Sequence, residues 1–479
     1  MKLYFLNIFF IILSSVAIAE NSKPIEKSDF MDLDSYLAQV RHKHDGFKSA
    51  EYNKDSAPLI KREAELLTSP NLFSSALYIS DSKQSPFFPY QKFESTQLQV
   101  GIQEQTKFGT LAKLYYSYSS LRYVGTAIPL DYQTSPLLEF TQSLWRNGFG
   151  SEISAMKQQI ESNLEAQRFA ESFRLKSYLF EAESSYWRLA LSREATQVSK
   201  DAFDRAKRIF DYLQKKSKQG LADQSDFLQA KAALEARRLD HRISQEDEQR
   251  AARSFNSGRG IDSDLVAEKL LSLSSFTSKD IQQKLKRQNS MQTRDDVRAA
   301  QEQAKASIAG AKISQEKDKP ILEIFGQFGL NGFDTSQSAS FEQSFGTSKP
   351  TETIGIRLNF PLNASATRDA ATGWREQQIA TQHNLERKIF EQERDWHELN
   401  EHFENALVRF DMLESLSNAQ NAKLQNERSR HSKGRTTLVN VIMFELDFMV
   451  AELSRLRTLA EVLQIHAQLK LFGDNYESR

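Results

Sequence analysis

The sequence predicts a mixed α/β membrane protein built from a duplicated unit, each copy a strand pair followed by a long helical hairpin. Three observations carry that prediction: the placement of proline, the change of hydrophobic period between tracts, and the same order of parts met twice. The ten prolines stand at 24, 58, 70, 86, 89, 129, 136, 320, 350 and 361, so none lies between Pro136 and Pro320 and none follows Pro361. Proline inside a helix costs about 3 kcal/mol. The two proline-free tracts, rich in charge and alanine, therefore read as long helices, and the proline-bearing regions as strands and loops.

In chain order, the first element is a secretory signal peptide over residues 1–19. Lys2 supplies the positive end, Leu3 to Leu13 the apolar core, and Ala17-Ile18-Ala19 the small-x-small cleavage site before Glu20. The core is too short to span a bilayer as a helix, which takes about 20 residues. No later segment reaches 18 consecutive apolar residues. An exported chain of this kind is periplasmic, secreted or an outer-membrane β-barrel.

Period-two alternation marks the strands. Leu114, Tyr116 and Tyr118 alternate with Lys113, Ser117 and Ser119; Leu138, Phe140 and Leu144 alternate with Glu139, Thr141 and Ser143. In the second half, Leu322, Ile324, Phe328 and Leu330 alternate with Glu323 and Gln327, and Ile354, Ile356, Leu358 and Phe360 with Gly355, Arg357 and Asn359. One apolar and one polar face is the pattern of a water-filled barrel, although a half-buried soluble sheet shares it. Tyr115, Tyr116, Tyr118, Tyr123 and Trp145 fit an interfacial aromatic belt.

The helical tracts carry coiled-coil spacing. Leu446, Met449, Leu453, Leu456, Ala460, Leu463 and Ala467 step by three and four, and Ile153, Met156, Ile160 and Leu164 begin a similar stripe. From Gly150 to about Ser217 the helical character is unbroken, a rod of roughly 100 Å. Such a length implies a fibrous or tubular assembly, since an ordinary globular helix has about 11–12 residues.

The order strand, long helix, glycine break, second helix occurs twice. Aligning Leu144 with Leu362 gives an offset of 218 residues, and aligning Gly220 with Gly434 gives 214. The difference of four is about one helical turn. The chain thus divides into residues 20–270, with N-terminal helices, a strand pair and a hairpin turning near Gly220, and residues 271–479, with a helix, a strand pair and a hairpin turning near Gly434. Four membrane strands cannot close a barrel alone, and open edges are not tolerated in lipid. Several chains must share one barrel; three would give twelve strands above a helical tube.

Composition narrows the function classes. With 63 Lys+Arg and 63 Asp+Glu the net charge is zero, which gives no basic surface for nucleic acid. The absence of cysteine excludes disulfides, thiolate metal sites, a Cys nucleophile and a lipid anchor at the cleavage point. His42 and His44 have no carboxylate or thiolate cluster at ligand spacing. Neither a Gly-rich phosphate loop nor a Gly-x-Ser-x-Gly elbow is present. The expectation is a protein without cofactor, metal or catalytic residue, and not an enzyme.

Three segments resemble the TolC outer-membrane efflux family. Gln142-Ser143-Leu144-Trp145-Arg146-Asn147-Gly148-Phe149-Gly150 is similar to the family's strand-to-helix junction, with Ser143 where proline is usual. Lys218-Gln219-Gly220-Leu221-Ala222-Asp223-Gln224-Ser225-Asp226-Phe227-Leu228-Gln229-Ala230 resembles the segment after the first periplasmic tip, and Lys433-Gly434-Arg435-Thr436-Thr437-Leu438-Val439-Asn440-Val441-Ile442 the matching second tip. The resemblance implies a homotrimeric twelve-stranded outer-membrane β-barrel on a periplasmic α-helical coiled-coil barrel. It implies an exit duct of a tripartite efflux or type I secretion system, fed by a periplasmic adaptor (membrane fusion protein) and an inner-membrane transporter.

The resemblance also places sites. Gly220, Leu221, Gly434 and Arg435 are the expected adaptor-docking tips, because a glycine turn lets another backbone approach closely; each glycine would equally serve to end a helix. Asp223, Asp226, His431, Asn440 and Met443 are the tunnel or gate candidates. Asn440 and Met443 are uncharged where family members often carry acidic rings, which leaves Asp223 and Asp226 to supply negative charge. His431 and Thr436 occupy the places of the family's aromatic and arginine latch, and Arg435 with Asp226 is the substitute pair. The alternative reading is a soluble periplasmic coiled-coil adaptor or structural protein. That reading leaves unexplained the strands in two equivalent places, and it predicts that the loops Val124–Thr134 and Asn331–Pro350 are not reachable from outside the cell.

Overall fold

The computed structural model of the protein describes residues 30–83, 90–219, 223–285, 290–360 and 362–473. The signal-peptide expectation lies outside the described residues. Three short helices come first: α1 (Leu33–Lys43), α2 (Asp45–Ile60) and α3 (Glu63–Leu66). Strands β1 (Asn71–Asp81), β2 (Lys92–Gln105), β3 (Thr110–Val124) and β4 (Asp131–Ser143) follow, then α4 (Ser151–Lys218) and α5 (Gln224–Gly258). The second half runs α6 (Ser278–Lys284), α7 (Asp295–Lys317), β5 (Ile321–Leu330), β6 (Gly332–Asp334), α8 (Gln337–Gln343), β7 (Pro350–Asn359), α9 (Ala364–Ser432) and α10 (Leu438–Leu469).

The long helices match the sequence expectation. α4 has 68 residues and α9 has 69, each about 100 Å of rod. Both are ladders of i, i+3 and i, i+4 ion pairs, such as Arg174–Glu171 and Arg387–Glu391, which support a solvated helix by a few tenths of a kcal/mol each. The packing stripe on the upper part of α4 differs from the expected Ile153, Met156, Ile160 and Leu164. The buried positions there are Ala155, Ser162 and Ala166, matched across the interface by Ala304, Ala306, Ala309 and Ala311 of α7. Small residues let the two backbones close up, so the larger apolar side chains stand to the sides. On α10 the expected seam does pack: Met449, Leu456, Ala460, Leu463 and Ala467 are buried, while Leu446 stays exposed.

The helices form four columns. α4 and α9 run the full length. α5 lies antiparallel to α4, through Thr196 on Ser244 and Phe210 on Phe227. α2 takes up the same column above it, with His44 on Tyr178 and Lys61 on Glu165. α10 lies between α4 and α9, paired through Glu445 to Arg205 and Arg428. α7 continues that column, with the amide of Gln292, just ahead of α7, hydrogen bonded to the carbonyl of Phe472.

At mid-height a girdle ties the columns together. Tyr36, Tyr186 and Phe255 are fully buried in one cluster, and the Tyr36 and Phe255 rings stack at 4.0 Å. The Tyr36 hydroxyl donates to the carbonyl of Phe255, and the Tyr186 hydroxyl to that of Met31. Burial pushes the Tyr36 phenol up to about 12. The segment between α5 and α6 wraps over this cluster, held by Arg259 on Glu268 at 2.8 Å and by Arg193 on the Glu268 carbonyl.

The sheet departs from the sequence expectation in strand number. The expected strands at 113–119, 138–144, 322–330 and 354–360 correspond to β3, β4, β5 and β7, but a further antiparallel hairpin, β1–β2, precedes them. The sheet order is β1-β2-β3-β4-β5-β7, all antiparallel, with β6 continuing β5 along β4 in the same register after an interruption opposite Ser135 and Pro136. The expectation of four strands per chain is thereby corrected to six. The hairpin escaped periodicity because its alternation is muted: Ser74 and Ala76 sit on the same face as Leu72 and Tyr78, and Leu77 and Ile79 face the polar side.

Candidate functional site

The sheet has two chemically distinct faces. Pairing register puts Leu72 and Tyr78 of β1 on one face with Leu98, Val100 and Ile102 of β2, Leu114, Tyr116 and Tyr118 of β3, Leu138 and Phe140 of β4, Ile324 and Phe328 of β5, and Ile354, Ile356 and Leu358 of β7. Most of these are exposed, Leu72 at 78% and Ile354 at 81%. The opposite face carries Ser75, Gln97, Gln99, Gln103, Ser117, Ser119, Gln133, Gln327 and Thr353, with cross-strand pairs Lys113–Glu139 at 3.5 Å and Arg357–Glu323 at 3.6 Å. An exposed apolar surface of this extent needs a cover that is not water.

The height of the belt is set by charge. On β2 it is bounded by Glu94 and Glu104 on the same face. Ten residues at about 3.4 Å, tilted by about 40°, give roughly 25 Å, the height of the apolar band of an outer-membrane barrel. Tyr116 and Tyr118 lie on the apolar face, as a belt requires. Tyr115 and Tyr123, expected in the same belt, point to the polar face by strict alternation. Among the described residues no helix is long and apolar enough to cross a membrane.

The junction between sheet and tube is the Gln142–Gly150 segment picked out by sequence. Asn147, Phe149 and Gly150 have φ of 55°, 51° and 81°. Left-handed backbone at the two non-glycine positions, Asn147 and Phe149, costs about 1–2 kcal/mol each, and Asn147 recovers part of it: its Oδ1 accepts from the amides of Glu152 and Ile153, capping α4. Arg146 forks onto Glu152 at 3.0 and 3.1 Å, and Glu316 of α7 accepts from the Asn147 amide and the Ser151 hydroxyl. Burial pulls the Glu316 carboxyl up, but Lys319 and Ser151 outweigh it and hold it below its ordinary range. Gly150 has no alternative residue, because a Cβ there would lie 1.9 Å from the carbonyl oxygen of Lys107 in the β2–β3 turn. The same segment joins the halves through Leu144 and Arg146 amides on the carbonyls of Leu322 and Pro320.

At the opposite end, Gly220 and Leu221 lie outside the described residues. Gly434 has φ of 69°, with its amide on the carbonyl of His431 and the Arg435 amide on that of Arg430. This is a Schellman end to α9. A Cβ on Gly434 would meet nothing within 4 Å, so the turn stands open to approach. Asp223 caps α5 by accepting from the Ser225 amide at 3.1 Å, which leaves its charge committed to a helix N-terminus. Asp226 is exposed, Met443 is exposed, His431 is half-buried, and Asn440 donates to Thr436 at 3.1 Å. Among the described residues of the single chain, Arg435 and Asp226 are not joined by an ion pair. What holds the second tip is Glu445, which accepts Arg205 of α4 at 3.2 Å and Arg428 of α9 at 2.6 Å. Glu445 could have been found as the first acidic residue in the apolar opening of α10.

Among the described residues no group of three His, Asp or Glu is placed to hold a metal ion. His44, one of the His pair, accepts the Phe47 amide and caps α2.

No known family profile matches the sequence, and no curated protein matches it. Solved structures do. CusC, a protein described through transmembrane channel formation, aligns with 14% identity and a TM-score of 0.62 over 95% of this chain and 96% of its own. VceC, an outer-membrane protein of Vibrio cholerae, aligns with 14% identity and a TM-score of 0.60 over 92% of this chain and 96% of its own. The CmeC outer-membrane channel of Campylobacter jejuni aligns with 13% identity and a TM-score of 0.61, covering 92% and 85%. The chain therefore has the fold of outer-membrane channel proteins, with the junction, columns and strand face in the places the sequence motifs marked.

Proposed function

We propose that the protein is the outer-membrane exit duct of a tripartite efflux or type I secretion system, working as a homotrimer and receiving its cargo from a periplasmic adaptor and an inner-membrane transporter. The observation that carries this reading is the bare apolar face of the sheet, about one hydrocarbon thickness tall, set directly on four helical columns. A periplasmic adaptor has no use for such a face, because water would have to cover it.

Oligomerisation follows from the edges. Among the described residues β1 and β7 each have one unpaired side, and unpaired backbone is not tolerated in lipid. The tube repeats the pattern: α5 exposes Leu228, Leu239 and Ile243 at one border, and α9 exposes Val408, Met412 and Leu416 at the other. At both heights the free borders are one from the first half of the chain and one from the second. A head-to-tail ring joins them with a single rotation. No bond is made or broken; conduction is the work, and the open Gly434 turn is the docking surface for the adaptor.

Fractionation of expressed protein, with the detergent-extracted mass from light scattering, tests the reading. Outer-membrane material with a mass near three chains is expected. A soluble periplasmic species would remove the barrel and put the adaptor reading first.

A further inference from the structure

The edges of the sheet carry a conclusion about the pore beyond the duct reading on which it rests. Six strands per chain cross the apolar belt, and the added pair, β1–β2, is in continuous register with β3 over fourteen residues of β2, from Lys92–Val124 to Gln105–Leu111. β1 is in turn paired with β2 along all eleven of its residues. The hairpin is thus an integral part of the sheet. Its apolar side, Leu72, Tyr78, Leu98, Val100 and Ile102, is level with that of β3 to β7, and its polar side continues theirs.

We propose that β1 of one chain pairs with β7 of a second copy, so that three chains close an eighteen-stranded barrel. Direction permits it. β2 and β3 are joined by a tight turn packed on the α4 junction, where a Cβ on Gly109 would meet the Asn147 carbonyl at 2.8 Å. β2 therefore descends toward the helices and β1 ascends. β7 descends, since it leads into α9. A neighbour's β1 beside β7 is antiparallel, as every other pair in the sheet is. The two edge strands also match in length, with eleven and ten residues, and both are nearly bare along their length.

Width points the same way. Strands spaced by about 4.8 Å and tilted by about 40° make six strands roughly 38 Å wide and four roughly 25 Å. Four helical columns at about 8–10 Å spacing are roughly 32–40 Å wide. Six strands cover the four columns beneath them without taper, and four do not. Barrel diameter grows about linearly with strand number, so the mouth is about 1.5-fold wider than with four strands per chain. Barrels of 16–18 strands hold an open aqueous channel.

The chain has no cysteine, so introduced pairs report without background. With Thr353→Cys fixed on β7, a second Cys is walked along the polar side of β1 (Phe73, Ser75, Leu77, Ile79) or of β3 (Tyr115, Ser117, Ser119), and the membrane fraction is oxidised. Covalent trimers through β1, and none through β3, are expected, together with eighteen strands in single-particle images of the purified complex. Trimers linked through β3, or through neither strand, or a twelve-stranded image, overturn the inference and leave the duct reading standing. A soluble monomer overturns the duct reading itself.

Discussion

At the equator, Tyr36, Tyr186, Phe255 and Phe410 are wholly buried, and the Tyr36 and Tyr186 hydroxyls are both hydrogen bonded. In the sheet, Leu98, Val100 and Ile356 are as apolar and yet stand exposed, and among the described residues both edge strands lack a neighbour on one side. The first region obtains its stability from within one chain. The second has hydrogen-bonded backbone but no core, and in the proposed duct lipid would cover its apolar face and a second copy each border. That difference is what the proposed function explains, with water around the equator and hydrocarbon around the belt.

The largest effect belongs to the equator. Phe255→Ala removes a fully buried ring and is expected to destabilise by about 3–5 kcal/mol, read as a shift in the denaturant midpoint of the helical circular-dichroism signal. A loss below about 1 kcal/mol would mean the cluster is not the core of the tube. The belt comes next. Val100→Arg places a charge near the middle of the band and should cost about 2–4 kcal/mol on refolding into bilayers, while Gln99→Arg, one residue along, should be near neutral. Equal losses would show that the two faces do not meet lipid and water as assigned.

A pH series sharpens the contrast. His466 of α10 packs beside Phe403, and burial, with Lys470 adding to it, lowers its pKa to about 4. The folded state keeps the ring neutral, and the unfolded chain binds the proton first. Stability is therefore full above about 6.5 and falls as pH drops toward 4, by at most about 3 kcal/mol. His466→Phe should flatten that slope in urea titrations at pH 7 and 4.5, and an unchanged slope would remove His466 from the account. The tip gives the smallest thermodynamic effect. Gly434→Val strains a left-handed position by about 1–2 kcal/mol but fills the open turn. Trimer yield should hold while export falls; normal export would sink the docking assignment.

Much of this was legible in the primary structure. The spacing of Pro136 from Pro320 and the tract after Pro361 located both long rods, and the junction motif from Gln142 to Gly150 marked the strained turn that α4 starts from. Alternation found β3, β4, β5 and β7 because their apolar positions hold Leu, Ile, Phe and Tyr. It missed β1 and β2, where Ser74 and Ala76 dilute the apolar face and Leu77 and Ile79 the polar one. It also placed Tyr115 in the belt, since a run of tyrosines does not announce which of its members face lipid. The heptad seam on α10 was found, but Ile153, Met156 and Ile160 on α4 drew attention from the alanines that pack.

The sequence by itself determined the class of element at each point, because helix and strand differ in period and in tolerance for proline, both of which are local. Only the tertiary structure decided that Glu445 bridges two arginines from different helices, that Arg435 and Asp226 stay apart, and that six strands share one sheet. Those are outcomes of register and distance between separate elements, some of them far apart in the chain, which no local pattern encodes.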